Sequence, residues 1–194
     1  DYCVVGTGNY HEGTAKVYTD YHLLTAQKRI TKEVRKVFTF IESPYKHYNY
    51  KHLMVSPNST REGIYALIDR EIAHAQAGRE AKFWVKINSV SDHGMIAKLY
   101  EASAAGVSIR MVVRGINCID FSDTALSGNI AAVSIVDRFL EHTRAFCFHN
   151  NGQSEYFISS ADWMTRNLNR RVEVTVPIYD EKIKRQLRDH FEIL

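Results

Sequence analysis

His142 and Arg144 stand two positions apart at the head of an apolar run, Ala145-Phe146-Cys147-Phe148. In an extended chain, residues two apart point to the same side, so one face there would present an imidazole and a guanidinium together. That pairing suits phosphoryl chemistry. An imidazole can act as nucleophile or proton carrier near neutral pH, and a guanidinium can hold two phosphate oxygens at once. The run is followed by a second apolar stretch, Glu155 to Ile158, and a turn of small residues, Ser159-Ser160-Ala161-Asp162. Taken alone, one histidine among nine is more often structural than catalytic; its surroundings are what raise it.

The sequence matches itself at an offset of 153 positions. Val4-Val5-Gly6-Thr7-Gly8-Asn9-Tyr10 lies over Phe157-Ile158-Ser159-Ser160-Ala161-Asp162-Trp163, and Asp20 lies over Glu173. Each copy is an apolar strand, a turn of small residues, a short polar side chain, an aromatic, and an acid at the same distance. A duplicated unit of this kind implies a site shared between two lobes. The His-x-basic element of the first copy would then lie about 20 residues ahead of Gly6, before Asp1.

The elements that must position these residues follow from periodicity. Cys3-Val4-Val5 predicts a short strand entering the Gly6-Thr7-Gly8-Asn9 turn, so the chain starts in mid-fold. Ile30, Val34, Val37, Phe38 and Ile41 predict one face of a helix, and 42–52, which carries Ser43-Pro44, reads as a connection. Next come a strand at 53–55, a helix opened by the capping box Ser59-Thr60-Arg61-Glu62 with Ile64, Leu67, Ile68 and Ile72 inward, and a strand at 83–87. A helix over 95–105 ending at Gly106 and a strand at 107–113 stopping at Arg114-Gly115 continue the alternation. Further strands are predicted at 132–136, 144–148, 155–158 and 172–178. A closing helix carries Ile183, Leu187, Phe191 and Leu194. Continuous apolar strands alternating with helices predict an α/β fold with a mainly parallel, mixed sheet flanked by helices.

Composition narrows the classes. With 45% hydrophobic and 24% charged residues, three prolines and no low-complexity stretch, the chain reads as an ordinary globular protein. No apolar run is long enough to span a bilayer, and no signal peptide opens the chain, so a soluble protein is expected. Cys3, Cys118 and Cys147 show no CxxC spacing, which favours buried free thiols in a reducing cytoplasm. A net charge of +3 allows an anionic partner but not the dense basic stripe of a nucleic-acid binder. The cluster Arg166, Arg170 and Arg171 reads either as a solvated loop or as an anion path.

A His-x-basic strand followed by a small-residue turn, present twice, resembles the phospholipase D superfamily, in which two histidines from two lobes meet at one phosphate. Several longer stretches are more similar to the polyphosphate kinase family. They are Gly6-Thr7-Gly8-Asn9-Tyr10, 14–21, Leu53-Met54-Val55-Ser56-Pro57, Val113-Arg114-Gly115, 134–142 and 159–167. The resemblance implies a phospholipase D-like lobe at 53–194, truncated at its carboxy end, preceded by the tail of a similar lobe at 1–52. It implies an ATP:polyphosphate phosphotransferase acting through a phosphohistidine upstream of Asp1, so the isolated fragment is expected to be inactive. His142 matches the second-lobe histidine, an acid or base at the transferring phosphate. Tyr18 matches a tyrosine at the nucleotide, and Arg114 an arginine at its phosphates.

Asn9 and Asp162 either cap turns or support the site, and Arg144 and Arg166 are candidate supporting residues, Arg166 and Arg171 on a polyphosphate path or simply at the surface. Arg144 stands where the family has lysine. Further implications are Mg2+ carried with ATP, no metal ligands in the chain, ATP or ADP and polyphosphate as partners, no nucleic acid and a homo-oligomer. The expected location is the cytoplasm, at most peripheral to the inner membrane. The rival readings are a phosphodiesterase or nuclease of the phospholipase D type, and a non-catalytic polyanion-binding module.

Overall fold

The computed structural model describes residues 1–193. The amino-terminal segment holds β1 (Cys3–Gly6), α1 (Glu12–Ala15), β2 (Tyr18–Thr19), β3 (His22–Thr25) and α2 (Lys28–Glu42). An irregular stretch leads to β4 (Met54–Ser56), α3 (Thr60–Gln76), β5 (Lys82–Ile87), α4 (His93–Ala104), β6 (Ser108–Val113), α5 (Thr124–Ser127) and β7 (Ile130–Val133). The chain ends with β8 (Leu140–Glu141), β9 (Ala145–Phe148), β10 (Glu155–Ser159), α6 (Thr165–Asn169), β11 (Glu173–Ile178) and α7 (Glu181–Ile193). The predicted last inward residue of that helix, Leu194, lies outside the described residues.

Seven strands form the main sheet in the order β4-β11-β10-β9-β5-β6-β7. The α/β class with a mixed, helix-flanked sheet is as expected, but parallel pairing is confined to β5-β6 and β6-β7. The other four pairings are antiparallel. The reason is chain length between strands. β5 reaches β6 through a whole helix, which allows a parallel return, whereas β9 reaches β10 through the short 149–154 loop, which forces a hairpin. Apolar strands report that both faces are covered, not which way the strands run.

Both faces are covered. On one, Ile64, Ile68 and Ile72 of α3 and Met95, Ile96 and Leu99 of α4 pack on Phe83, Val85, Ile87, Ile109, Met111, Phe146 and Phe148. On the other, Ile30 and Val37 of α2, Val5 of β1, and Leu187 and Phe191 of α7 pack on Ala145, Cys147, Tyr156, Ile158, Val176 and Ile178. Residues 145–148 thus alternate between the two cores, as an extended chain requires. The amino-terminal segment therefore seats on the main sheet through apolar contact.

Several local expectations shift. On α2, Ile30, Val34 and Val37 face the core as expected, joined by Thr31, Glu33 and Phe40, while Phe38 and Ile41 face solvent at 64% and 55% exposure. Glu33 accounts for the difference. Its carboxylate, buried at 5% exposure, accepts the backbone N–H groups of Lys51, His52 and Leu53 and so pins the connection to the helix. Ser59 precedes α3 but does not cap it, because its hydroxyl accepts the N–H of Val55 at 3.0 Å. α4 stops as expected at Gly106, whose φ of +91° only glycine adopts readily. Of the cysteines, Cys147 is buried, Cys3 is partly covered and Cys118 is exposed, since it follows the loop that leaves the end of β6.

One carboxylate locks the loops above the sheet. Asp92 accepts both terminal nitrogens of Arg61 at 2.6 and 2.8 Å, the N–H of Met95 at 3.0 Å and the hydroxyl of Thr165 at 2.7 Å, joining α3, α4 and α6. The Arg61 hydrogen bonds hold its carboxyl well below the usual range. A depressed carboxyl contributes stability that is present above its unfolded value, near 3.8, and is lost as pH falls toward the folded value. Asp92→Asn is therefore expected to lower unfolding free energy at pH 7 by about 2 kcal/mol in urea titrations, with the difference shrinking below pH 4.

Candidate active site

The repeat seen in the sequence is a repeat in space. β1 pairs with β3 as Cys3↔Thr25 through Gly6↔His22, and β10 pairs with β11 as Tyr156↔Ile178 through Ser159↔Thr175, the same register at the same offset. Thr7 N donates to Tyr21 O at 2.9 Å, Tyr21 N donates to Thr7 Oγ1 at 3.0 Å, and that hydroxyl donates to Asp20 at 2.6 Å. Ser160, Val174 and Glu173 repeat all three bonds at 3.1, 3.1 and 2.5 Å. In each copy a hydroxyl in the turn fixes the acid on the returning strand.

The first of these acids reaches into the second copy. Asp20 accepts from Nδ1 of His142 at 3.0 and 3.2 Å, and the Tyr18 ring lies against the imidazole with centroids 4.9 Å apart. β2 and β8 make the approach possible. They pair in parallel, Tyr18↔Leu140 and Thr19↔Glu141, and His142 N donates to Thr19 O at 3.2 Å. Gly8 is required nearby, because a Cβ there would collide with the Asp20 carboxylate.

With its Nδ1 proton given to a carboxylate, His142 presents its Nε2 lone pair to Arg144, whose Nη2 donates to it at 3.2 Å. The imidazole pKa lies below its ordinary 6.5, through burial first and the Arg144 charge second, with Asp20 opposing both. Arg144, 6% exposed, spends its donors inside the protein. They go to Asp162 through Nε and Nη2 at 3.0 and 2.9 Å, to Thr7 O at 2.8 Å, and to the carbonyl and ring of His142 at 3.2 Å each. In this arrangement the guanidinium frames His142 and leaves no fork for a phosphate. The structure does bring imidazole and guanidinium together as the alternation predicts.

Asp162 also accepts the N–H groups of Asn88 and Ser89 at 2.9 and 3.1 Å, so it is a buried anchor for two segments. Asn88 is the residue that the sequence reading missed. It is 2% exposed, its Nδ2 donates to His142 O at 3.0 Å, and its Oδ1 accepts Nε of Arg114 at 2.7 Å. Arg114, half-buried just past β6, is thereby oriented through its Nε. Asp20 was legible only as one half of the repeat. Asn9 and Arg166 are exposed, and neither side chain is drawn to His142. Arg171 lies 3.9 Å from Glu173, which also accepts Asn167 Nδ2 at 2.7 Å.

Two packed copies of a strand-turn-strand unit, with one histidine held across them, place the fold with the phospholipase D type. Solved structures agree: a phospholipase D family member, Nuc from Salmonella typhimurium, superposes with a TM-score of 0.53 at 14% identity, over 72% of this chain and 90% of that one. At that identity the likeness is one of fold. The family is narrower. The model for polyphosphate kinase C-terminal domain 2 matches residues 53–194 and that for C-terminal domain 1 matches residues 1–47, so the chain belongs to the polyphosphate kinase family. A polyphosphate kinase from Porphyromonas gingivalis superposes with a TM-score of 0.94 at 40% identity, over 99% of this chain and 30% of that one. Polyphosphate kinases of Yersinia pestis and Escherichia coli are 52% and 47% identical over the whole of this chain, which spans 28% of the length of each.

The balance of charges on His142 can be read directly. Its Cε1 proton resonance is expected to titrate below pH 6.5, and Asp20→Asn, which removes the larger of the two opposing carboxylate charges, should move the midpoint lower still. Because the unfolded chain takes up this proton near 6.5 and the folded one only at lower pH, His142 costs stability as pH falls through that interval.

Proposed function

We propose that the full-length protein reversibly transfers the γ-phosphoryl group of ATP to polyphosphate through a phosphohistidine, and that this chain supplies the second half of the site. The observation that carries the reading is the Asp20–His142–Arg144 arrangement joined through Asn88 to Arg114. It gives one oriented Nε2 and one oriented guanidinium, next to an aromatic ring. Phosphoryl transfer asks for positioning and for positive charge at the phosphate oxygens more than for covalent ingenuity. Arg114 would grip those oxygens, Tyr18 would bound the nucleotide, and Nε2 of His142 would carry a proton to or from the oxygen that leaves or attacks.

The repeat supports the other half of the proposal. Glu173 occupies in the second copy the place of Asp20 in the first, so it is the carboxylate suited to orient a matching histidine from upstream. That histidine would be the nucleophile, which makes this chain inactive alone. Mg2+ would arrive on the ATP phosphates and neutralise their charge. No described helix is long and apolar enough to cross a membrane.

In the full-length protein, His142→Ala is expected to cut ATP-dependent polyphosphate synthesis by about 100-fold or more, and Arg114→Ala to raise the KM for ATP. Asn88→Ala should lower kcat and raise the KM for ATP together, with a smaller loss of synthesis than His142→Ala. Retention of full synthesis by His142→Ala would leave a polyanion-binding module as the reading. Diester hydrolysis indifferent to ATP would favour a phosphodiesterase.

A further inference from the structure

One lysine is buried in the main sheet. Lys86 on β5 is 2% exposed, and it points away from the core that takes its neighbours Val85 and Ile87, toward the side covered by the amino-terminal segment and α7. Its Nζ lies 2.9 Å from Glu141 Oε2, an ion-pair distance without the alignment of a hydrogen bond. Asp20 and Arg114 lie close enough to act on its charge, and His190 of α7 faces the same pair. Burial pulls the ammonium's pKa down, with Glu141 and Asp20 opposing.

Stability is a poor reason for such a pair, because an apolar side chain of the same volume does as well or better at a buried site. Position is a better one. Glu141 immediately precedes His142 and belongs to β8, whose parallel partner β2 carries Tyr18. Lys86 is two residues ahead of Asn88, which holds the His142 carbonyl. The ion pair therefore ties the β2-β8 ribbon to the same strand end that orients Arg114.

We propose that Lys86 is a positioning residue for the phosphate-facing groups: through Glu141 it fixes β8, and with it the contact of His142 with Tyr18 and Asp20, and it neutralises a carboxylate adjacent to His142. The catalytic meaning of this role rests on the function proposed above; the geometry does not. The groups around His142 are Asp20 and Tyr18 from the amino-terminal segment, Arg144 and Asp162 from the turns beside β9 and β10, and Glu141, the residue before it on β8. Those facing Lys86 are Glu141, Asp20, Arg114 and His190.

The test uses Lys86→Met, Glu141→Gln and the double variant in the full-length protein, with isotope-labelled histidine NMR for the His142 midpoint and ATP-dependent synthesis for rates. Lys86→Met exposes His142 to an unmatched Glu141 charge and should raise its midpoint by about 0.5 pH unit. Glu141→Gln leaves an unmatched ammonium and should lower it by a similar amount. The double variant should return the midpoint close to that of the parent. Each single variant should lose about 10-fold or more in kcat/KM for ATP, and the double should recover part of that loss. Folded single variants with an unmoved midpoint overturn the proposal. Unfolding of both singles, repaired in the double, also overturns it, since the pair would then be a stabilising element only. Opposite midpoint shifts in a full-length protein with no phosphotransfer would leave the positioning intact and remove the function proposed above.

Discussion

A guanidinium keeps its charge at any pH the fold survives, so burying one obliges the surroundings to supply acceptors in its plane. Arg144 meets that demand from three directions: the Asp162 carboxylate, the Thr7 carbonyl and the His142 residue itself. Thr7 lies in the turn after β1 and Asp162 in the turn after β10, so the two copies of the repeat are drawn to a single cation. The place of His142 is a consequence. Its ring fits between the Arg144 fork and the Asp20 carboxylate, and the ribbon of β2 and β8 sets the distance.

From that centre the order spreads outward through side chains that serve two masters. Asp162 holds Arg144 and also the backbone leaving β5. Asn88, on that backbone, holds His142 on one side and Arg114 on the other. The carbonyl of Trp163, next after Asp162, accepts the N–H groups of Ser91 and Asp92, which brings in the lock on α3, α4 and α6. Short loops around the reacting face are thus held by polar contacts, while the apolar cores beneath them set the height of the sheet.

Much of this was legible. The self-match of the sequence translated into a common strand register because both copies close their turn with the same bonds, Thr7 to Tyr21 and Asp20 in one and Ser160 to Val174 and Glu173 in the other. His142 with Arg144 was legible from strand alternation. Arg144 as a frame, rather than a phosphate ligand, was not, because composition cannot show how many acceptors surround a guanidinium. Asn88 escaped because its importance lies in bonds to residues 26 and 54 positions away. Strand direction escaped because apolar content is blind to it, and the turn of α2 away from Phe38 and Ile41 escaped because Glu33 is buried for its bonds to the backbone at 51–53.

The Asp20 contact with His142 has a hereditary side. A histidine in one copy of the unit answers to an acid encoded in the other, more than a hundred codons away, so neither copy can drift alone. A change at position 20 is inherited as a change in the proton affinity of position 142. The two units share a common plan; their exchange of partners binds them to a common fate.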